Sequence, residues 1–190
     1  IVNLSNEMSA RGIDVDLVLL EATGPYLSDV SAQTNIVDLQ APELPGFAAL
    51  GGVPSLIQYL RKNSPTVVLS ALTRANIVLL LAHRLSNVDT RTVISERNHL
   101  SSIVSRSKNS RMKAAPWLVR RTYPLADDII PISRGVAQDL STISRIPTSQ
   151  MTVIHNPAYS EDIHQQATEE PTHPWFQSSD KPIVIGVGSL

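Results

Sequence analysis

Short apolar runs alternate with amphipathic segments along most of the chain. The runs are four or five residues long, which is typical of buried strands, and they lie at residues 16–20, 35–39, 66–70, 92–95, 129–132 and 151–154. Between them, apolar residues recur at helical spacing in the segments 1–11, 53–63, 74–86, 111–125 and 134–143. This alternation predicts an α/β fold, in which helices cover both faces of one parallel sheet.

The pattern changes after residue 156. Four prolines, at positions 157, 171, 174 and 182, interrupt a polar stretch without strong periodicity, which is typical of a linker. The last residues, IVIGVGSL, begin as an apolar strand and continue into glycines. We therefore expect an α/β domain at residues 1–156, a linker at 157–182 and the start of a second α/β domain at 183–190.

Composition narrows the class of protein. The chain has 190 residues, of which 42% are hydrophobic and 17% charged, so it can bury a core. Its formal net charge of −1 gives no indication of a nucleic-acid partner. It has no cysteine, which excludes disulfides, thiolate metal sites and a cysteine nucleophile, and which fits a cytoplasmic protein.

Polar side chains follow four of the predicted strands, at the point where each strand ends. The sequences are LSALTRAN after residue 68, ISERNH after 93, PISRGV after 130 and IHNP after 153. In open parallel sheets, ligands bind beyond the carboxyl ends of the strands. The candidate site is therefore predicted at this edge of the sheet.

The segment SERNH places an acid, a base, an amide and an imidazole in succession, at Glu96, Arg97, Asn98 and His99. One interpretation is a solvated turn. The other is recognition of a hydroxyl-rich substrate, which needs both hydrogen-bond donors and acceptors.

A second candidate lies where the strand at 129–132 meets the next helix, at Ser133, Arg134 and Gly135. Serine is a favoured N-cap residue, so capping alone explains it. The positive helix end, with Arg134 nearby and Gly135 allowing close approach, also suits a phosphate, and both roles are compatible. Asn156 before a proline is typical of a turn. Gly188 and Ser189, in the sequence GVGSL, are a weaker indication of a diphosphate site.

A third feature is a basic segment at residues 104–123 that contains no acid. Its cations are Arg106, Lys108, Arg111, Lys113, Arg120 and Arg121. A solvated basic face is one interpretation. Because Trp117 lies among the cations, contact with an anionic membrane surface is the other.

Several motifs are absent from the sequence. It contains no GxGxxG, GxxxxGK[ST], GxSxG or HExxH, and its five histidines show no metal-ligand spacing. We therefore expect no metal site.

The sequence RRTYPLADDIIPISRGVAQDL at residues 120–140, followed by MTVIHNP, HPW and PIVIGVGSL, resembles glycosyltransferase family four. The resemblance covers essentially the whole chain, and the motifs are fairly specific as a set. It implies two Rossmann-like domains that face each other across a cleft. It also implies transfer from a nucleotide-sugar donor, which is a substrate, with no cofactor or metal and with retention of the anomeric configuration.

By this resemblance the acceptor lies mainly on the first domain and the donor mainly on the second. Residues 96–99 then belong to the acceptor side of the cleft. The donor and its phosphates face Ser133, Arg134, Gly135 and Asn156 on one side and Gly188 and Ser189 on the other. The family's first strand and glycine-rich loop would precede Ile1, and Ser189 stands where many members have an arginine. We therefore expect residues 1–190 alone to be inactive.

The sequence thus predicts the acceptor-side domain of a retaining glycosyltransferase. Its acceptor would be a saccharide or a lipid-linked saccharide, in the synthesis of cell-surface polysaccharide, lipopolysaccharide or lipid-linked oligosaccharide. The expected location is the cytoplasm, with peripheral attachment to the inner face of the cytoplasmic membrane. Two alternatives remain open: a nucleotide-sugar epimerase of similar build, and a non-catalytic α/β binding domain.

Overall fold

The computed structural model describes residues 1–41, 48–107, 110–156, 166–177 and 182–186. Side chains at residues 48, 49, 110 and 111 are not described. The chain divides into two compact units, Ile1–His155 and Asn156–Leu190.

The first unit alternates strands and helices, as the apolar pattern predicts. In chain order its elements are α1 (Val2–Ala10), β1 (Asp16–Leu19), β2 (Asn35–Asp38), α2 (Gly52–Asn63), β3 (Val67–Ala71), α3 (Thr73–Ser86), β4 (Arg91–Glu96), α4 (Leu100–Arg106), α5 (Ala115–Thr122), β5 (Asp128–Pro131) and α6 (Arg134–Ser144). Short 3₁₀ helices lie at Leu27–Asp29, Ala48–Gly51, Ser110–Ala114, Tyr123–Leu125 and Thr148–Gln150. In the second unit, Pro174–Gln177 forms the short helix α7.

The strands pair in parallel, but in two sheets where the sequence pattern predicts one. One sheet consists of β1 and β2, and the other has the order β3–β4–β5. Within the described residues, no backbone hydrogen bond joins β1 to β3. The first half of β3 is accordingly open on its surface, since Val67 is 50% and Leu69 39% exposed. Apolar periodicity specifies which residues form strands, but not which edges meet.

The apolar run at residues 151–154 extends the larger sheet. The amide of Thr152 donates to Ile129 O at 3.0 Å, and the amide of Ile154 donates to Pro131 O at 3.2 Å. This segment is not assigned as a strand, but its backbone runs beside β5 as the sequence predicts.

Helix α3 forms the centre of the core. The buried residues on α3 include Ile77, Val78, Leu79, Leu80 and Ala82. The helix packs against α2 and α5 as well as β3 and β4. A helix that is apolar on most sides must be covered on most sides, which explains why IVLLLA occurs here.

The strand predicted at the start of a second domain is not formed over residues 182–186, where Val184 is 93% and Ile185 66% exposed. A strand needs a neighbour for its backbone groups, and this segment pairs with none of the described residues. Gly188 and Ser189 lie outside the described residues.

Candidate functional site

The carboxyl ends of β3, β4 and β5 meet at one edge of the larger sheet. The register pairs Ala71 with Ser95, and Glu96 with Pro131. The segment beside β5 reaches the same edge, where His155 Nδ1 lies 2.9 Å from Ile132 O. The structure therefore brings the carboxyl ends of β3, β4 and β5 and the residue His155 to the same edge of the sheet.

Glu96 is the last residue of β4 and is only 1% exposed. Its Oε2 accepts a hydrogen bond from the Tyr123 hydroxyl at 2.5 Å. The Thr73 hydroxyl lies 3.1 Å from Oε1 and 3.0 Å from Oε2. Oε1 also accepts from the backbone amides of Arg97 at 3.1 Å and Asn98 at 3.2 Å. Four donor groups thus compensate a buried carboxylate, as burial of a charge requires.

Asn76 connects this carboxylate to the rest of the core. Its Nδ2 donates to Ser95 O at 3.0 Å and to the Tyr123 hydroxyl at 3.1 Å, and its Oδ1 accepts from Ser70 Oγ at 2.7 Å. Asn76 and Tyr123 are both fully buried. Burial raises the pKa of Tyr123, and the charge of Glu96 and the hydrogen bond to it raise it further. Tyr123 is therefore a hydrogen-bond donor throughout the neutral pH range.

Glu96 has different surroundings from its neighbours in the sequence. Glu96 is predicted to lie with its neighbours on the acceptor side of the cleft, but its carboxylate is enclosed and both its oxygens accept from protein donors. Its position fixes the turn at Arg97 and Asn98, whose side chains are partly exposed. The Glu96 carboxylate thus holds this turn in place, and the acceptor-side role of Glu96, Arg97, Asn98 and His99 remains a prediction.

Arg97 has an incomplete set of partners. Its Nε is buried and has no hydrogen-bond partner among the described residues. A buried hydrogen-bond donor without an acceptor destabilises the folded protein, unless a further group accepts a hydrogen bond from it.

His99 lies at the start of α4, and its side chain is half exposed. Its Nδ1 is 3.4 Å from Asp139 Oδ2 and 3.1 Å from Ser102 Oγ. The same Asp139 oxygen accepts from the amide of Ser101 at 3.1 Å. Asp139, a buried residue of α6, therefore satisfies an amide in the first turn of α4 and fixes where that helix begins.

Ser133 is the N-cap of α6, as predicted, because its Oγ accepts from the amide of Val136 at 3.2 Å. Arg134 and Gly135 follow on the exposed surface. A Cβ atom at Gly135 would meet only Ser133 Oγ, at 3.9 Å, so packing within the chain does not require glycine there. The phosphate-binding role of these three residues remains a prediction, as does that of the exposed Asn156.

The basic segment exposes both charge and an aromatic ring. Trp117 is 61% exposed, and the guanidinium of Arg121 lies 5.8 Å from its ring centroid. Arg106, Lys113 and Arg120 are also exposed. Lys108 lies outside the described residues, and the side chain of Arg111 is not described. Among the helices that the structure describes, none has the length and apolar character needed to cross a bilayer.

Two cavities of about 500 Å³ lie away from this edge. One is on the surface of α2, between Pro54 and Lys62. The other lies at the amino ends of β4 and β5, where His83, Arg91 and Asp127 line it. Neither cavity contains a residue of the carboxyl edge, so the candidate site lies outside both.

Metal ligands are not clustered in the part of the chain that the structure describes: no group of three or more His, Asp or Glu side chains could hold an ion there. That glycosyl transfer by this protein needs no metal remains a prediction.

The fold and this edge define the class of protein: a Rossmann-like α/β domain with polar residues gathered at the carboxyl ends of its parallel strands. The chain belongs to Glycosyltransferase Family 4, whose family model matches residues 1–161. Family and fold together support glycosyl transfer as the activity.

Comparison with solved structures agrees on the fold. The structure is similar to that of a sucrose-phosphate synthase from Thermosynechococcus elongatus, with a TM-score of 0.56. The two chains are 16% identical, and the match covers 87% of this chain and 89% of the other. A likeness at this identity shows the fold alone. No curated protein sequence matches the chain.

Proposed function

We propose that this chain is the acceptor-binding domain of a retaining glycosyltransferase. The single observation that carries the proposal is the Glu96 network, which fixes a turn at the carboxyl end of β4 whose residues Arg97 and Asn98 are partly exposed. A rigid turn that presents donors and acceptors suits a saccharide, because each hydroxyl of a sugar can both donate and accept.

In the proposed reaction, an acceptor hydroxyl bonds to the anomeric carbon of the donor sugar. The bond from that carbon to the diphosphate oxygen breaks, the hydroxyl proton is released, and the nucleoside diphosphate leaves. Arg97 and Asn98 hydrogen-bond acceptor hydroxyls and so hold the attacking oxygen in place. The N-terminus of α6 faces the negative charge that develops on the diphosphate, with Arg134 beside it.

The test is an assay of the full-length protein against a panel of nucleotide sugars, with saccharide and lipid-linked saccharide acceptors. Released nucleoside diphosphate and product mass are measured, and the product's anomeric configuration is read by NMR. We expect transfer with retention. Residues 1–190 alone should transfer nothing, since the family resemblance assigns the donor mainly to the second domain. Absence of transfer by the full-length protein with every pair would overturn the proposal.

The same assay separates the alternatives. An epimerase would convert the sugar of the donor without any acceptor, and its product would remain a nucleotide sugar. A non-catalytic domain would bind a saccharide with no turnover.

We further propose that the protein acts at an anionic membrane surface, where a lipid-linked acceptor would be found. The observation that favours this is Trp117, which is exposed on the same segment as four exposed cations, Arg106, Lys113, Arg120 and Arg121. Tryptophan at the level of the lipid headgroups adds apolar contact to the attraction of the cations. By this proposal the protein is cytoplasmic, and its contact with the membrane is peripheral.

A further inference from the structure

Leu72 has a backbone conformation that is unusual for its residue type. It links β3 to α3 with φ 78° and ψ 142°. Leucine rarely has positive φ, because its Cβ then crowds the backbone. Of the four other non-glycine residues with positive φ in the described part of the chain, three end helices in the ordinary left-handed region, namely Ser64, Asn87 and Arg145, and the fourth is Gln40, with φ 45°. Leu72 lies outside that region, so its backbone is strained.

Hydrogen bonds on both sides hold this conformation. The amide of Leu72 donates to Ser95 O at 3.1 Å, and its carbonyl accepts from the amide of Asn76 at 3.0 Å. The next residue, Thr73, is bound to the Glu96 carboxylate. The backbone of Leu72 therefore cannot relax without disrupting the buried network.

The strained conformation leaves the Leu72 side chain 50% exposed. Since the register pairs Ala71 with Ser95, Leu72 lies beside Glu96 and next to the turn that Glu96 fixes. The fold thus maintains an exposed apolar side chain at the carboxyl edge of the sheet, the edge where Arg97 and Asn98 follow β4. A single exposed leucine needs no explanation, but an exposed leucine with a strained backbone at the carboxyl edge, where we propose that the acceptor binds, does.

We propose that Leu72 is a specificity-determining residue that contacts the acceptor saccharide, an inference that rests on the proposed function. A pyranose ring has an apolar face of C–H groups and a rim of hydroxyls. Leu72 packs against the apolar face, while Arg97 and Asn98 bond the rim. Saccharides whose corresponding face carries an axial hydroxyl are disfavoured, because that hydroxyl would be buried against leucine.

The experiment compares Leu72→Ala and Leu72→Gly in the full-length protein. Both variants remove the proposed contact, but only glycine tolerates the backbone conformation. The matched control is Leu85→Ala, since Leu85 is 59% exposed at the other end of the same helix. Acceptor KM, donor KM and Tm are measured for each.

We expect both Leu72 variants to raise the acceptor KM by roughly 5- to 10-fold, the effect of losing part of a leucine's apolar contact, with donor KM unchanged. Leu72→Gly should melt a few degrees above Leu72→Ala. Leu85→Ala should match the wild type in both KM values.

The outcomes distinguish this inference from the function on which it rests. No transfer by the wild type overturns the proposed function, and the acceptor role of Leu72 with it. Transfer by the wild type with an unchanged acceptor KM in both folded Leu72 variants overturns the role of Leu72 alone. A Leu72→Gly protein with a lower Tm than Leu72→Ala overturns the inference that the backbone of Leu72 is strained.

Discussion

The hydroxyl of Tyr123 donates a hydrogen bond of 2.5 Å to Glu96 Oε2, and both side chains are buried. The two residues are 27 positions apart in the sequence. Their bond secures the carboxylate that accepts from the amides of Arg97 and Asn98. The shape of the exposed turn therefore depends on a network beneath it.

Replacement of Glu96 by alanine should destabilise the protein strongly. The variant leaves the hydroxyls of Thr73 and Tyr123 without their buried acceptor, so we expect a loss of about 2–4 kcal/mol in the free energy of unfolding. Urea denaturation measures it. Asn98→Ala is the control, because a partly exposed side chain should cost less than about 0.5 kcal/mol.

The activity of the full-length protein tests the role of Asn98. Asn98→Ala should lower kcat/KM by about 10-fold or more while the protein stays folded, since it loses a hydrogen bond to the acceptor. If Asn98→Ala leaves kcat/KM unchanged, the residues SERNH form a solvated turn and no more.

Tyr123→Phe should alter how stability depends on alkaline pH. Burial, followed by the charge of Glu96, raises the pKa of Tyr123 above its usual value of about 10. In the unfolded chain this tyrosine loses its proton near pH 10, whereas the folded protein retains it. The contribution of Tyr123 to the free energy of unfolding is therefore fully present below about pH 10, and it falls as the pH rises above that value.

The difference in unfolding free energy between wild type and Tyr123→Phe should thus narrow as the pH rises above about 10. The contributions of the other tyrosines are common to both proteins and cancel in this difference. A gap that stays constant from pH 8 to the highest pH at which both proteins fold would show that Tyr123 does not keep its proton as described.

The order of strands and helices could be predicted from the sequence, because burial of apolar residues has a different period in each. The apolar run of α3 and the strand at Arg91–Glu96 are examples. The carboxyl edge followed from the same pattern, since parallel strands end together. Helix α4 was missed, because its start depends on Asp139, which is 38 residues from its partner Ser101.

The role of Glu96 could not be read from its position alone. A carboxylate after a strand is equally consistent with an open cleft and with an enclosed network. Only its hydrogen-bond partners in the folded protein distinguish the two. One signal was present: Asn76 is polar within an apolar helix, and a buried amide must find partners. The division into two sheets depends on which strand edges meet, which apolar spacing does not encode.

Ser133 offers a test that separates capping from phosphate binding. Ser133→Ala should cost about 1 kcal/mol in stability, because the amide of Val136 loses its acceptor. Ser133→Asp should recover that stability, since aspartate caps helices well and its charge favours the helix N-terminus.

Donor binding should distinguish the two variants in the opposite order, with Ser133→Asp the more impaired. If the end of α6 faces the donor diphosphate, Ser133→Asp repels it, and donor KM should rise well above that of Ser133→Ala. Equal donor KM values in the wild type and both variants would leave capping as the whole role of Ser133.

The basic segment can be tested directly for contact with a membrane. The exposed Arg120 and Arg121 lie on α5 with the exposed Trp117. Each cation near an anionic surface contributes about 1 kcal/mol, an attraction that salt screens within roughly 10 Å at 0.1 M. Reversing both charges, in Arg120→Glu with Arg121→Glu, should therefore weaken co-sedimentation with anionic vesicles by more than 10-fold at low salt. Trp117→Ala should weaken it further, in a salt-independent way, because the ring contributes apolar contact.

The matched control reverses two exposed cations elsewhere, Lys62 and Arg84, which lie on α2 and α3. It produces the same net charge as the double variant on α5, so it tests whether position or total charge matters. We expect the control to bind nearly as the wild type does, since its cations are outside the basic segment. Neutral vesicles should retain little of any protein. Equal loss in both double variants would mean that net charge alone drives the contact. Equal partitioning of the wild type onto neutral and anionic vesicles, or no partitioning onto either, would rule out the basic segment as a membrane-binding surface.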